Sequence, residues 1–271
     1  MAARPAFQDP EQGSSPAAQH NGSLPPKEAI EGPYELDFVR SREDLEAIQR
    51  LRYDVFNVEL NEGLDTSKET GRDEDEFDAS CDHLYVRHLP SGTIVGTYRM
   101  QTLEKAQQRA GFYAATEFDL SNLSTHVLKA SVEIGRACIH KDHRSLRVLY
   151  LLWKGLGQYA SFHGKRYLFG CCSLTSQDPA EGWTVYSQLE RDGHLHPEWK
   201  IRPLPSHACP DRPTVDHHIR PPRLMRTYLS LGATICSEPA IDREFKTIDF
   251  LAVFDFESLQ NSDLAFYRFH P

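Results

Sequence analysis

The sequence predicts one α/β (α+β) domain with a mixed central sheet flanked by helices. Three observations predict it. Strand and helix signals are interleaved without strict alternation, no internal repeat is visible, and apolar residues make up 39% of the 271, enough to build a packed core. Residues 1–33 carry six prolines among small polar residues and almost no apolar periodicity, so they read as a disordered tail. Residues 34–271 are expected to form the single folded domain, a length that supports a sizeable core.

Alternation over 34–39 suits a short strand. Ser41, with Asp44 three residues on, marks a helix start, and Leu45, Ile48, Leu51, Val55 and Phe56 keep helical spacing to about Leu60. Strand signals at 83–88 and 93–100 flank the turn residues Pro90, Ser91 and Gly92. Residues 103–128 read as one or two helices with a loop, and 130–139 as a buried strand. An amphipathic helix over 146–163 closes at Gly164. A short apolar strand follows at 167–174, then a helix at 180–190. Residues 194–222, rich in Pro and His, read as a long loop. Pro221 and Pro222 can start a helix to Leu231 with Gly232 past its end, and 248–256 is a last strand.

Thirty Lys and Arg against 39 Asp and Glu give a net charge of −9, which argues against a general nucleic-acid binder. The longest apolar run, Val148 to Trp153, is about six residues, far short of the roughly 20 that span a bilayer. No apolar stretch follows the first Met, so no secretory signal is expected and the chain should be soluble and cytoplasmic. The six cysteines form no C-x-x-C pair and read as reduced thiols. The histidine pairs 194/196 and 217/218 lack partners at zinc-site spacing, so no metal is expected.

Charge is unevenly placed. Residues 59–78 hold nine acids and two bases, whereas 136–168 hold seven bases and one acid. The basic block suits an anionic partner or a solvated face. Arg144 and Arg147 lie where a strand meets the start of a helix, and a helix N-terminus with two arginines favours a phosphate. Asp73, Glu74, Asp75, Glu76 and Asp78 surround Phe77, which suits either an exposed acidic loop or an ammonium site. Glu133 and Arg136 stand inside an apolar strand, where ionisable groups are costly unless paired. A regular strand puts them on opposite faces, and a bulge at Gly135 would bring them together. A structural ion pair and an active-site base are both open readings, the latter because burial raises a carboxyl toward neutral pH.

These pieces, in this order, resemble the GNAT-related N-acyltransferases that use acyl carrier protein. The ornithine–acyl-carrier-protein N-acyltransferases and their hemolysin-like relatives are most similar; N-acyl amino acid synthases and acyl-homoserine-lactone synthases are more distantly so. The matching stretches are 51–56 (LRYDVF), 75–78 (DEFD) with 81–84 (CDHL), 95–100 (VGTYRM), 133–136 (EIGR), 140–155, 170–174 (GCCSL), 221–222 (PP) and 228–233 (YLSLGA), so the resemblance runs from about residue 34 to 271.

The resemblance implies a sheet of about seven strands splayed at its centre, with the donor's phosphopantetheine arm in the splay and its phosphate near Arg144 and Arg147. It implies direct attack of an amine on a thioester, with Glu133 accepting the amine proton and Arg136 positioning it. Asp75 and Asp78 would bind or order the amine substrate, and Arg52 and Arg99 would pair with those acids or with a substrate carboxylate. Phe56, Phe77, Tyr98 and Leu174 are candidates to line an acyl pocket. No cofactor would be resident. The donor would be acyl carrier protein or else acyl-CoA, and residues 140–147, which lack the usual glycines, favour the carrier protein. The acceptor would be an amino acid. A lipid product leaves transient membrane contact open. The alternatives are an acyl-CoA-dependent acetyltransferase and a non-catalytic carrier-binding module.

Overall fold

The computed structural model describes residues 24–26, 29–210 and 217–257. In chain order the strands are β1 (Ala29–Glu31), β2 (Tyr34–Phe38), β3 (Asp82–His88), β4 (Thr93–Thr102), β5 (Phe118–Asp119), β6 (Ser131–Ile139), β7 (Tyr167–Leu174), β8 (Arg202–Pro203), β9 (Thr234–Ile235), β10 (Ala240–Asp242) and β11 (Thr247–Asp255). The helices are α1 (Arg42–Tyr53), α2 (Ser67–Thr70), α3 (Leu103–Ala106), α4 (Thr125–Lys129), α5 (Leu146–Phe162), α6 (Pro179–Arg191) and α7 (Arg223–Ser230).

One sheet runs in the order β1-β2-β3-β4-β6-β7-β11-β10, with β9 beside β11, so it holds nine strands rather than about seven. All of its ladders are antiparallel except β6–β7. The central strands are buried on both faces: β11 carries an unbroken apolar run over 250–254, whereas β4 alternates and buries Thr97, Arg99 and Gln101 along with its apolar residues. Val132, Leu168, Ile248 and Phe250 turn to one face and join the core beneath α5, α6 and α7. Phe169, Leu251 and Val253 turn to the other face, where Phe112, Ala114 and Phe118 cover them.

Two irregularities shape the middle of this sheet. The β6 and β7 strands pair only from Ser131 to Glu133 and from Tyr167 to Phe169, although they run on to Ile139 and Leu174. Beyond Glu133 they separate, which is the splay that the resemblance implies. Gly170 stands at the fork, and a Cβ there would overlap the carbonyl oxygen of Ile134. On the opposite edge of β6 the register with β4 slips: Tyr98 alone faces both Arg136 and Ala137. Arg136 takes a left-handed backbone, φ 47°, a conformation rare for a long side chain.

The element reading holds for both hairpin strands, β6, α5, β7, α6, α7 and β11, to within a residue or two at most ends. Four readings change. Order begins before Tyr34, because β1 pairs antiparallel with β2 through the turn at Gly32 (φ 59°); residues 1–23, also assigned to the tail, lie outside the described residues. The helix from Ser41 is regular only to Tyr53, and Asp54–Glu59 winds as one wide π turn. Residues 103–128 do hold two helices with a loop between them, but α3 and α4 are only four and five residues long and 3₁₀ turns lie between, because the apolar side chains here point onto the sheet face beside Phe169 rather than along a helical stripe. In the described part of 194–222, His196, Ile201 and Ala208 hydrogen-bond or bridge to the β9–β10 region.

Candidate active site

The separation of β6 and β7 opens a cavity of about 210 Å³, more than ten times the space a single water needs. One wall is Ile134 to Ala137 of β6 and the facing wall is Gly170 to Ser173 of β7. Phe56, Leu60 and Phe245 line one part of it, and Trp153, Met225 and Tyr228 another. Glu133 stands at the apex, 6% exposed.

Glu133 is held without a cationic partner. The backbone N–H groups of Tyr113 and Ala114 donate to its two oxygens at 2.9 and 2.7 Å, at the start of a short 3₁₀ turn over 113–116. Burial pushes its carboxyl up to about 7, against the opposing pull of those two N–H groups and of Arg99. A carboxyl that titrates near neutrality on a cavity wall can take a proton from an amine and return it to water.

The bulge does bring Arg136 to the side of Glu133, but it lies at Arg136 and Ala137 rather than at Gly135, and the two side chains do not pair. The Tyr113 ring lies 5.0 Å from the Arg136 guanidinium, while the Tyr113 backbone serves Glu133. Arg136 instead completes a closed ring of six charges. Arg52 binds Asp73 and Asp78, at 2.6 and 2.9 Å. Arg99 binds Asp78 and Asp75, at 3.0 and 2.6 Å. Arg136 binds Asp75 at 2.9 Å and lies 3.3 Å from Asp73. Three guanidinium groups alternate with three carboxylates and the sum is zero. Burial alone would raise the carboxyls of Asp75 and Asp78, but the arginines outweigh it and hold both below their ordinary values. Gln49 also donates to Asp78, at 3.0 Å. Asp75 and Asp78 thus face arginine within the protein, and Arg99 and Arg136 are the ring members that also line the cavity.

The basic block does not form one surface. Arg136 lies inside the ring, Lys165 binds Glu104, and Arg166 grips Asp255 with two hydrogen bonds. Arg144 forms a bidentate pair with Glu59, at 2.6 and 2.7 Å, and Arg147 lies over Gly32. Both arginines flank the capped start of α5, where Ser145 accepts from Val148. Neither is among the cavity-lining side chains. Of the four acyl-pocket candidates, Phe56 and Tyr98 line the cavity; Phe77 stacks on Tyr113, and Leu174 belongs to the core under α6.

The structure adds residues that the sequence reading did not select. Tyr228 is one: its hydroxyl lies 2.6 Å from that of Tyr98 on the cavity wall. Asp73 closes the charge ring. Next to Glu133, on the same sheet face, Asp249 and Cys171 line the cavity, and Glu117 approaches both. Asp249 carries the same signal that exposed Glu133, an acid inside an apolar strand; Glu117 carries none. A cysteine and two carboxylates without a histidine are the one close group of candidate metal ligands among the described residues.

The family model described as an acetyltransferase (GNAT) domain matches residues 51–154. The L-ornithine N(alpha)-acyltransferase of Brucella abortus is 32% identical over 250 residues, covering 87% of this chain and 89% of that protein. The L-ornithine N(alpha)-acyltransferase of Rhizobium meliloti is 32% identical over 249 residues, covering 86% and 83%. Among solved structures, FeeM, an N-acyl amino acid synthase from uncultured soil microbes, aligns with a TM-score of 0.44 at 10% identity over 83% of this chain and 91% of that one.

Proposed function

The chain belongs to the L-ornithine N(alpha)-acyltransferase family, and from that premise we propose that its cavity joins a long-chain acyl group, carried as a thioester, to the α-amine of ornithine. The observation that carries this reading is Glu133: a buried carboxyl poised near 7, without a counter-ion, on the wall of a cavity formed by strand separation.

The amine nitrogen attacks the thioester carbonyl, the C–N bond forms, the C–S bond breaks, and the nitrogen proton passes to Glu133, directly or through water. The departing sulfur leaves as a thiol after taking a proton from solvent. No covalent enzyme intermediate is needed. Backbone N–H groups of 134–137, on the edge of β6 that β7 has left, are available to the carbonyl oxygen as charge develops there. Arg99 and Arg136 face the same cavity and are placed to hold the α-carboxylate of the acceptor. In this reading Arg52, Asp75 and Asp78 order those two guanidinium groups rather than touch the amine.

We assign the donor to acyl carrier protein. Lys141 and Arg144, in the segment between β6 and α5, and Arg147, in the first turn of α5, lie beside N–H groups of the helix start, and an acidic carrier with a phosphorylated arm meets that combination well. Exposed Val58, Leu60 and Leu146 add an apolar rim to the same side, because the Glu59–Arg144 pair joins the two segments that bear them. Among the described residues no helix is long and apolar enough to cross a membrane.

The test offers purified protein L-ornithine with either a 3-hydroxyacyl or an unsubstituted long-chain donor, each on carrier protein and on CoA, and reads products by mass spectrometry. An N-acylornithine formed faster from the carrier-bound donor is the expected result. Product from CoA alone would move the donor assignment to CoA, and binding of carrier without any product would overturn the catalytic reading.

A further inference from the structure

The cavity reaches both faces of the sheet. Val132 turns toward α5 and Glu133 to the other side, and the fork at Gly170 lets the cavity pass between them. On the α5 side it continues as an arm lined by Tyr98, Leu168, Met225, Tyr228, Ala252 and Phe254. Apart from the paired hydroxyls of Tyr98 and Tyr228, these six present apolar surface. The two ends of the cavity differ in exposure. Leu60, at one end, is 40% exposed, whereas Trp153 and Phe254, at the other, are 3% and 4% exposed. A chain threaded from the surface therefore enters beside Leu60 and stops at the buried end.

Strand β11 and helix α7 give the arm its shape. Phe250, Ala252 and Phe254 turn to the same face of β11, so Ala252 leaves a gap of one side chain between two rings. Ala233, just before β9, is a second small residue on the same wall. Across from them α7 turns Met225 and Tyr228 inward. The Tyr228 hydroxyl ties that helix to Tyr98 of β4, which fixes the height of the roof. Trp153 of α5 packs edge-on against Tyr228 at 5.7 Å and against Phe254 at 5.2 Å, joining roof to floor. An indole held between two rings in a close-packed interior yields little to a methyl group pressed against it.

We infer that this arm holds the acyl chain of the donor and that Trp153 sets the longest chain accepted, with Ala252 keeping the arm open. The assignment rests on the acyl-transfer reading above and names what limits its donor. With the thioester carbonyl at the N–H groups of 134–137, the chain leads away from Glu133 through the fork. Acceptor and acyl tail then lie on opposite faces of the sheet, and the amine reaches the carbonyl without crossing the tail. Each methylene that enters the arm leaves water for apolar surface. Once the terminal methyl meets the indole, further carbons must stay outside or force the rings apart.

The test measures transfer to L-ornithine from carrier protein loaded with saturated chains, in steps of two carbons from octanoyl to octadecanoyl. Wild-type kcat/KM is expected to rise by about fourfold per methylene, then to drop about tenfold at the first chain that presses on Trp153. In Trp153→Ala the drop should move to chains about two to four carbons longer, into the space the indole leaves. In Ala252→Leu it should move about two to four carbons the other way. Phe162→Ala, exposed at the end of α5, keeps the wild-type profile. A drop that stays at one length in both arm variants would overturn the assignment, and so would a wild-type profile still rising at octadecanoyl. Should both variants fail to fold, a chain brominated at its terminus decides through Trp153→Phe. It should quench tryptophan fluorescence in wild type and lose most of that quenching in the variant, because Trp183 and Trp199 are not among the cavity-lining side chains. Equal quenching in the two proteins sinks the idea. A protein that transfers no chain to ornithine at any length refutes the acyl-transfer reading itself, which is a different failure.

Discussion

Glu133 owes its character to what surrounds it rather than to what pairs with it. Its carboxyl is raised to about 7 by burial, so the basic form gains as pH rises through neutrality. The kcat/KM for acyl transfer should therefore climb about tenfold per pH unit below 7 and level off above it. Glu133→Gln should lower kcat by about 10²–10⁴-fold and remove that limb, while circular dichroism shows an intact fold. A retained limb would place the base elsewhere. Arg52 shows the opposite dependence. It is fully buried between two aspartates, and Arg52→Met strands both charges, so a loss of about 3–5 kcal/mol is expected in urea unfolding. Glu133 and Arg136 could be singled out from sequence because ionisable groups interrupt an apolar strand there. Asp73 could not be told from its acidic neighbours, since a run of acids does not say which one turns inward. The N–H groups of Tyr113 and Ala114 that hold Glu133 are backbone atoms and leave no trace in residue identity.

At the level of elements, the fork between β6 and β7 does the work of making a cavity, and Gly170 marks where it opens. Gly170→Ala would drive a methyl group into the Ile134 carbonyl, so the strands must part earlier or the variant must strain. A lower Tm together with a raised donor KM is expected, and unchanged values of both would show that the fork is set elsewhere. Arg144→Ala makes a contrasting case. The exposed pair with Glu59 is worth about 1 kcal/mol or less, so Tm should hardly move, while the KM for carrier-bound donor should rise several-fold if the start of α5 receives it. The long periodic elements were readable because burial of a face imposes a period. The strand pairs at the sheet edges, β1 and β10, are three residues each and show no period to read. The turns of 103–128 follow the contour of the sheet face they cover, a tertiary constraint that no local pattern carries.

Across the whole molecule, two kinds of buried acid stand out: aspartates held down by arginine, and the Glu117–Asp249 pair, raised by burial and by neighbouring carboxylates. Burial and the nearby Asp242 push Asp249 up to about 6. A carboxyl raised in the folded state contributes stability that is present below its unfolded value near 4 and lost as pH rises through the folded one. The Tm advantage of Asp249→Asn over wild type should therefore grow between about pH 4 and 7 in the absence of acceptor, and a flat difference would mean that the pair does not titrate there. The resemblance to carrier-dependent N-acyltransferases, the mixed sheet and the splay were all legible in an ordered set of short motifs. The pairing of individual charges was not, because pairing is decided by the bulge at Arg136 and by which acids the fold turns inward. That closed circuit also bears on descent. No single one of its six positions can change sign or lose charge without unbalancing the interior, so relatives should differ there by matched couples, such as Arg52 together with Asp73, or not at all. Drift at these sites has to move two steps at a time.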